Sequence, residues 1–330
     1  MPETFQAYRV EKQDNEVSRS LQTMQLSDLP EGEVLVEVHY SSLNYKDALS
    51  ATGNPGVTKH YPHTPGIDAA GVVRDSSHPD IRIGDEVIVT SYDLGMNTPG
   101  GFGQYIRVPA AWVVPKPAGL SLREAMILGT AGLTAGMCVQ ALLEQGLQPE
   151  QGAVLVSGAT GGVGSVAVAI LAKLGFQVTA STGKAEAHDW LKALGATEVQ
   201  DRRSLEETSS RPLLKSQWAG AVDCVGGETL TNMLKTLQPY ASVAACGLVG
   251  GAALNISVFP FILRGVNLLG IDSGEYPMAK RRQVWENLAG AWKFAQLESL
   301  CQEITLEQLD EAVDKILQGG IQGRTVVTLH

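Results

Sequence analysis

One stretch constrains the fold more than any other. Residues Ala153 to Lys184 read as a strand (Val154 to Ser157), a glycine-rich turn (Gly158-Ala159-Thr160-Gly161-Gly162-Val163-Gly164), a helix (Ser165 to Leu174) and a second strand (Phe176 to Ala180). A strand that turns this tightly into a helix aims the helix's free N–H groups and its dipole at one spot, which suits a pyrophosphate. Gly161, Gly162, Val163 and Gly164 are therefore candidate phosphate contacts. Gly161 lets the backbone come close to the phosphates, and Gly164 lets the helix pack against the strand. The spacing is G-x-x-G-x-x-G rather than G-x-G-x-x-G, and a bare glycine pattern is weak. Its placement between a predicted strand and helix strengthens it. The alternative is a glycine-rich turn that holds no ligand.

The end of the second strand speaks to which nucleotide is held. An NAD site places an acid about 20 residues after the glycines, on the ribose 2′-hydroxyl. Here the stretch is Ala180-Ser181-Thr182-Gly183-Lys184, with no acid. A carboxylate would repel a 2′-phosphate, whereas hydroxyls and an ammonium bind one. Ser181, Thr182 and Lys184 are thus candidate contacts, and Arg202 or Arg203, after the strand expected at Thr197 to Gln200, would add a second cation. The alternative for these three cations is a solvated surface. The favoured cofactor is NADPH.

A chain of 330 residues suggests two domains. Its 44% hydrophobic and 18% charged residues are ordinary for a globular protein. A net charge of −10 argues against general binding to nucleic acid or a membrane surface. No unbroken apolar run reaches the roughly 20 residues of a membrane span. The start, Met1-Pro2-Glu3-Thr4-Phe5-Gln6, lacks the basic flank and apolar block of a signal peptide, so a cytoplasmic location is expected. Cys138, Cys224, Cys246 and Cys301 are scattered, with no C-x-x-C pair, and read as reduced core thiols. Cys246, beside Gly247 at the end of an apolar strand, has no activating neighbour in the sequence. The six histidines show no metal spacing.

The first hundred-odd residues predict a twisted antiparallel barrel: short strands such as Val34 to Tyr40, Ala70 to Val73 and Glu86 to Val89 are punctuated by Gly and Pro. The pattern changes at Ser121-Leu122-Arg123-Glu124, a capping box opening a helix that continues through Ala125 to Ala141. Strands and helices then alternate to about Gly270, as in a doubly wound sheet. A final strand, Gly323 to Thr328, has no helix after it and pairs most simply with the first domain. The fold class is thus α/β. The expected domains are residues 1–122 with 274–330 (β-rich), and 123–273 (nucleotide-binding).

Several segments resemble the medium-chain dehydrogenase/reductase superfamily: Ser41-Ser42-Leu43-Asn44-Tyr45-Lys46-Asp47, Pro65-Gly66-Ile67-Asp68-Ala69-Ala70-Gly71, and the glycine turn. The resemblance is to its zinc-free quinone oxidoreductase branch. Within that branch, the segments starting at Gly129, Ala245, Pro260 and Gly270, together with Ile321-Gln322-Gly323-Arg324, look like the acrylyl-CoA reductase subfamily. The resemblance implies a Rossmann domain inserted into a GroES-like barrel, a homodimer, and NADPH-dependent reduction of a short enoyl-CoA. Zinc alcohol dehydrogenases carry His-Glu where this chain has Ile67-Asp68, and a four-cysteine lobe that it lacks. That argues against alcohol oxidation, for which zinc is the Lewis acid.

By the same resemblance, Tyr45 lines the nicotinamide site and donates its hydroxyl, with Asn44 offering an oriented amide; the alternative for Tyr45 is a packed aromatic. From its position alone, Asp47 reads as a cap on the helix that follows, with orienting Lys46 as the alternative. Thr130 is placed at the nicotinamide end, or else bonds back to a helix carbonyl. Leu248, Ile262 and Ser273 fall along the cofactor cleft, with a core isoleucine as the alternative for Ile262. Lys280-Arg281-Arg282 reads as a solvated helix face rather than a CoA-phosphate site. Competing functions are an NADPH:quinone oxidoreductase, a reductase of longer enoyl thioesters, and a non-catalytic NADPH-binding sensor. The apolar segments Leu254–Ile262 and Leu268–Gly270 suit pairing of sheet edges across a two-fold axis.

Overall fold

The computed structural model describes residues 2–14, 16–206 and 209–330 and forms two units. The first holds Met1–Thr130, Gly274–Ala289 and Leu297–His330, and the second Ala131–Ser273 and Gly290–Gln296.

In the first unit a hairpin of β1 (Thr4–Gln13) and β2 (Glu16–Gln25) precedes β3 (Val34–Leu43), α1 (Tyr45–Ala51), β4 (Asp68–Ser76), β5 (Glu86–Thr90), β6 (Tyr105–Val108) and β7 (Val113–Pro115). The hairpin has few apolar residues to betray it, because its second strand buries little on either face. The chain then enters α2 (Leu122–Glu144), opened by the expected capping box: Ser121 N donates to Glu124 Oε2 and Glu124 N to Ser121 Oγ. Where periodicity predicts one unbroken helix, Gly129 adopts φ +53° and breaks it. The chain leaves the first unit one residue later, after Thr130, rather than at Leu122. By length and composition α2 could cross a membrane, but 83% of its most apolar window is buried, as in a core helix.

The second unit alternates β8 (Val154–Val156), α3 (Gly162–Lys173), β9 (Val178–Thr182), α4 (His188–Ala193), β10 (Glu198–Asp201), β11 (Trp218–Asp223), α5 (Gly227–Thr236), β12 (Leu237–Ala245), α6 (Phe259–Arg264) and β13 (Asn267–Gly270). All six strands are parallel, in the order β10-β9-β8-β11-β12-β13. This is the doubly wound order, with its switch point at the carboxyl end of β8, between β9 and β11. Its core includes Leu155, Ala221, Met233, Leu234 and Val243.

The first unit is completed by α7 (Met278–Ala289), β14 (Cys301–Thr305), α8 (Leu309–Leu317) and β15 (Arg324–Thr328). Helix α7 stops at Ala289, before Gly290. Strand β15 pairs antiparallel with β3, Thr325 opposite Leu43, so the tail closes on the first domain as expected. The seven-stranded sheet runs β14-β15-β3-β4-β5-β7, with β6 also on β3, and Val36, Val38, Ile106 and Val327 lie in its core. The architecture is a Rossmann unit inserted into a GroES-like β unit.

Candidate functional site

In the second unit, β8 leads into a turn whose first residue, Gly158, has φ +58°. Helix α3 begins earlier than expected: Gly162, Val163 and Gly164 form its first turn and Gly161 is its N-cap. Their N–H groups therefore open at the carboxyl end of β8. At Gly164 a Cβ would sit 2.4 Å from Gly158 O and 2.8 Å from Ala159 Cα, so only glycine lets the helix meet its own turn. At Gly161 a Cβ would meet Gly158 O at 3.3 Å, a far milder crowding than at Gly164.

Strand β9 runs two residues further than predicted, so Ser181 and Thr182 are its last residues. The Ser181 hydroxyl is buried and has no hydrogen-bond partner. Such an orphan is costly in a finished interior and fits a group that a bound ligand completes. Thr182 Oγ1 lies 3.3 Å from Thr160 Oγ1 and accepts from Lys184 N at 3.1 Å. Arg202 lies across Gly183, where a Cβ would fall 2.9 Å from its Nε. It is 66% exposed in its side chain and 3.3 Å from Glu206. Arg203 instead turns away onto Asp201, at 2.6 Å. The hydroxyl-bearing Ser181 and Thr182 thus end β9, with Arg202 beside Gly183 and Lys184 next along the chain, in the stretch where an NAD site carries an acid.

Leu248 follows β12 and is 67% exposed; Ser273 lies beyond β13, half-buried. Ile262, on α6, is 68% exposed, so it is not a core isoleucine. With Val258, Leu263 and Leu268 it forms an exposed apolar face at the β13 edge.

In the first unit, Tyr45 opens α1 and is 45% exposed, which argues against a packed aromatic. Asn44 precedes it, and Asp47 caps the helix as expected: Asn44 N donates to Asp47 Oδ2 at 2.8 Å. Asp47 also accepts from Ile67 N at 2.8 Å and from the Asn44 amide. Burial and the neighbouring Asp68 carboxylate push Asp47 up to about 7, against these N–H donors.

The residues the sequence reading missed are Asp68 and Arg324, both buried. Asp68 accepts from Ser42 Oγ (2.6 Å), Asn44 Nδ2 (2.8 Å), Thr130 N (3.0 Å) and Thr130 Oγ1 (2.6 Å). Arg324 donates to Ile127 O (2.9 Å), Asn44 Oδ1 (3.1 Å) and Ser42 Oγ (3.0 Å), and stands 3.9 Å from the Asp68 carboxylate. Both ends of the Asn44 amide are therefore engaged within the protein. Thr130 bonds to Asp68 through both its N–H and its hydroxyl. Gly129 is needed because a Cβ there would fall 2.5 Å from both Asp68 Oδ2 and Ser42 Oγ. Arg324, the single charged residue of β15 and its first, is the signal in the sequence for this pair.

Arg281 corrects the reading of its basic cluster. It is fully buried, donates to Thr90 O (3.0 Å) and Gly274 O (3.2 Å), and lies 4.3 Å over the Tyr92 ring. It holds the first unit together and faces no solvent.

The alcohol dehydrogenase GroES-like domain family matches residues 30–118, and the zinc-binding dehydrogenase family matches residues 162–291. The acrylyl-CoA reductase AcuI of Ruegeria pomeroyi is 47% identical over 328 residues, covering 99% of both chains. The chain belongs to the medium-chain dehydrogenase/reductase superfamily. Its full-length likeness to AcuI places it in the acrylyl-CoA reductase subfamily. The structure of the Salmonella enterica yhdH oxidoreductase in complex with NADP matches with a TM-score of 0.96 at 46% identity, covering 98% of this chain and 100% of that one. Bacillus subtilis yhfP, with NAD bound, matches at 0.97 and 48%, covering 99% of each. Among the described residues no group of three His, Cys, Asp or Glu side chains is arranged to hold a metal, so this reductase does not fit the zinc implied by one family's description. At the position of the zinc dehydrogenases' Glu, Asp68 is instead filled by Ser42, Asn44 and Thr130.

Proposed function

We propose that this protein is an NADPH-dependent reductase of the C=C bond of a short enoyl-CoA, converting acrylyl-CoA to propionyl-CoA without a metal. The observation that carries the reading is the end-to-end likeness to a reductase of that substrate at 47% identity. Ser181 and Thr182 at the end of β9, followed by Lys184 and with Arg202 beside Gly183, support NADPH over NADH.

When bound, NADPH supplies the hydride taken up by the β-carbon of the thioester. Gly161, Gly162, Val163 and Gly164 would hold the pyrophosphate with backbone N–H groups, and Leu248, Ile262 and Ser273 of the same unit, and Thr130 of the first, would be further cofactor contacts. Negative charge then gathers on the thioester oxygen, and the exposed Tyr45 hydroxyl donates to it. Asn44, held by Asp68 and Arg324, is a positioning residue that fixes the first turn of α1 and so the reach of Tyr45.

The exposed edge strand β13, with Leu268 and the apolar face of α6, supports a homodimer paired along this edge. A monomer by light scattering removes that assignment. The enzyme works in the cytoplasm, where NADPH and acyl-CoA thioesters are at hand. The decisive assay follows NADPH oxidation with acrylyl-CoA, crotonyl-CoA and a benzoquinone, each with NADH as control. Turnover confined to acrylyl-CoA with NADPH is expected. Preference for the quinone, or equal use of NADH, overturns the reading.

A further inference from the structure

Three of the four cysteines, far apart in sequence, meet in the second unit. Strands β11 and β12 are parallel with Asp223 opposite Ala245, so the next residues, Cys224 and Cys246, leave adjacent strands side by side. Their sulfurs are 3.9 Å apart. Cys246 Sγ also lies 3.4 Å from Asp223 O, and the thiol of Cys138, from α2, is hydrogen-bonded to Cys246. The two backbones are held together beyond this point: a Cβ on Gly247 would fall 2.1 Å from Cys224 O, and Gly250 N donates to Val225 O at 2.8 Å.

This arrangement meets the geometric demand of a disulfide. Neighbouring strands stand about 4.8 Å apart, inside the Cα separations of roughly 4.4–6.8 Å that a disulfide spans. The sulfurs need only close by about 2 Å to reach the bonded distance, within reach of side-chain rotation. Cys224 and Cys246 are both partly exposed, while Cys138 is buried. We propose that Cys224 and Cys246 are a redox-modification site, closed by hydroperoxides into an intrachain disulfide that weakens nucleotide binding.

The roles within the pair follow from the hydrogen bonds. Contact with the Cys138 and Cys224 thiols holds the Cys246 thiol well below its ordinary value, and the same contacts with burial push Cys138 and Cys224 well above theirs, so charge in the cluster settles on Cys246. Cys246 is therefore the nucleophile. Its thiolate attacks the peroxide O–O bond, giving a sulfenic acid and releasing an alcohol, or water from hydrogen peroxide. The Cys224 sulfur then attacks that sulfur; the S–S bond forms, the S–O bond breaks and water leaves. The two thiols are oxidised by two electrons, and the peroxide is reduced.

The site bears on the nucleotide turn because Cys224 N donates to Ser157 Oγ at 2.9 Å, and Ser157 immediately precedes Gly158. Drawing Cys224 toward Cys246 pulls on that bond. This consequence rests on the NADPH reading; the disulfide itself does not.

The test treats the reduced full chain with one equivalent of hydrogen peroxide, traps free thiols with N-ethylmaleimide, and maps peptides by mass spectrometry. The expected result is a Cys224–Cys246 cross-link reversed by dithiothreitol, with Cys138 and Cys301 still alkylated. In Cys224→Ser, dimedone should capture a sulfenic acid at Cys246, which keeps the test independent of whether Cys246→Ser folds. No cross-link, a cross-link through Cys138, or faster oxidation of Cys301 overturns the site. NADPH titration of the oxidised chain should show at least a tenfold loss of affinity, regained on reduction. Unchanged affinity in cross-linked protein overturns the switch, whereas a reduced chain that binds no NADPH refutes the cofactor reading instead.

Discussion

Gly164→Ala places a methyl group 2.4 Å from Gly158 O and 2.8 Å from Ala159 Cα. Optimal carbon contacts lie at about 3.5–4.0 Å, so the overlap is about 1 Å. Overpacking of this kind costs about 1–3 kcal/mol, toward the upper end here because the obstructing atoms are backbone and have no rotamer to change. Exchanging glycine for alanine inside a helix returns about 0.8–1 kcal/mol. The net expectation is a loss of about 2 kcal/mol, which lowers the melting temperature of the second unit by about 4–8 °C. Gly161→Ala is the matched comparison: its Cβ meets Gly158 O at 3.3 Å, a contact relieved by a shift of a few tenths of an ångström, and its φ of −80° suits any residue. As an N-cap change it costs about 0.5 kcal/mol, so its melting should stay within about 2 °C of the wild type. Its methyl group faces the space assigned to the pyrophosphate, so its NADPH affinity should fall at least about tenfold, or about 1.4 kcal/mol. Thermal melting and fluorescence titration of the two variants read stability and affinity separately. A Gly164→Ala chain that melts with the wild type refutes the packing argument; a Gly161→Ala chain of normal affinity refutes the phosphate assignment.

Removing the Tyr45 hydroxyl in Tyr45→Phe should lower kcat by about 100-fold with little change in melting, as for a lost oxyanion donor. Lys184→Ala with Arg202→Ala should raise KM for NADPH about tenfold and leave KM for NADH unchanged, so the ratio of the two is the quantity to measure. Arg324→Met leaves the buried Asp68 carboxylate without its cation; a stability loss of about 3–5 kcal/mol by denaturant titration is expected. Asp47, at about 7 in the fold against 3.8 when unfolded, binds its extra proton in the native state between those values. Its stabilising contribution is full below about pH 4 and is lost as pH rises through about 7. The difference in melting temperature between the wild type and Asp47→Asn should change across that window, and a constant difference refutes the assignment.

The sequence carried the second unit well because its signals are local. Strand Val154–Val156, the glycine turn and the alternation onward to Gly270 are set by near neighbours: chain stiffness, periodicity and the φ freedom of glycine. The errors are of length, and they follow from capping. Helix α3 starts inside the turn because Gly161 caps it, and β9 extends through Thr182 because β10 pairs with it there. The β1–β2 hairpin escaped notice because its pattern is largely polar.

What the sequence determined by itself was the architecture, the candidate nucleotide turn and the missing acid after β9. Only the tertiary structure decided which distant residues meet. Asp68 and Arg324 become a buried pair because β15 returns to β3, and Arg281 becomes a buried brace for Thr90 rather than a solvated cation. Cys224 and Cys246 become neighbours because two parallel strands end level. Such contacts leave no trace in spacing, since parallel strands and a returning tail juxtapose residues through the sheet and not along the chain. Burial then makes each charge or thiol depend on the partner that the fold alone brings to it.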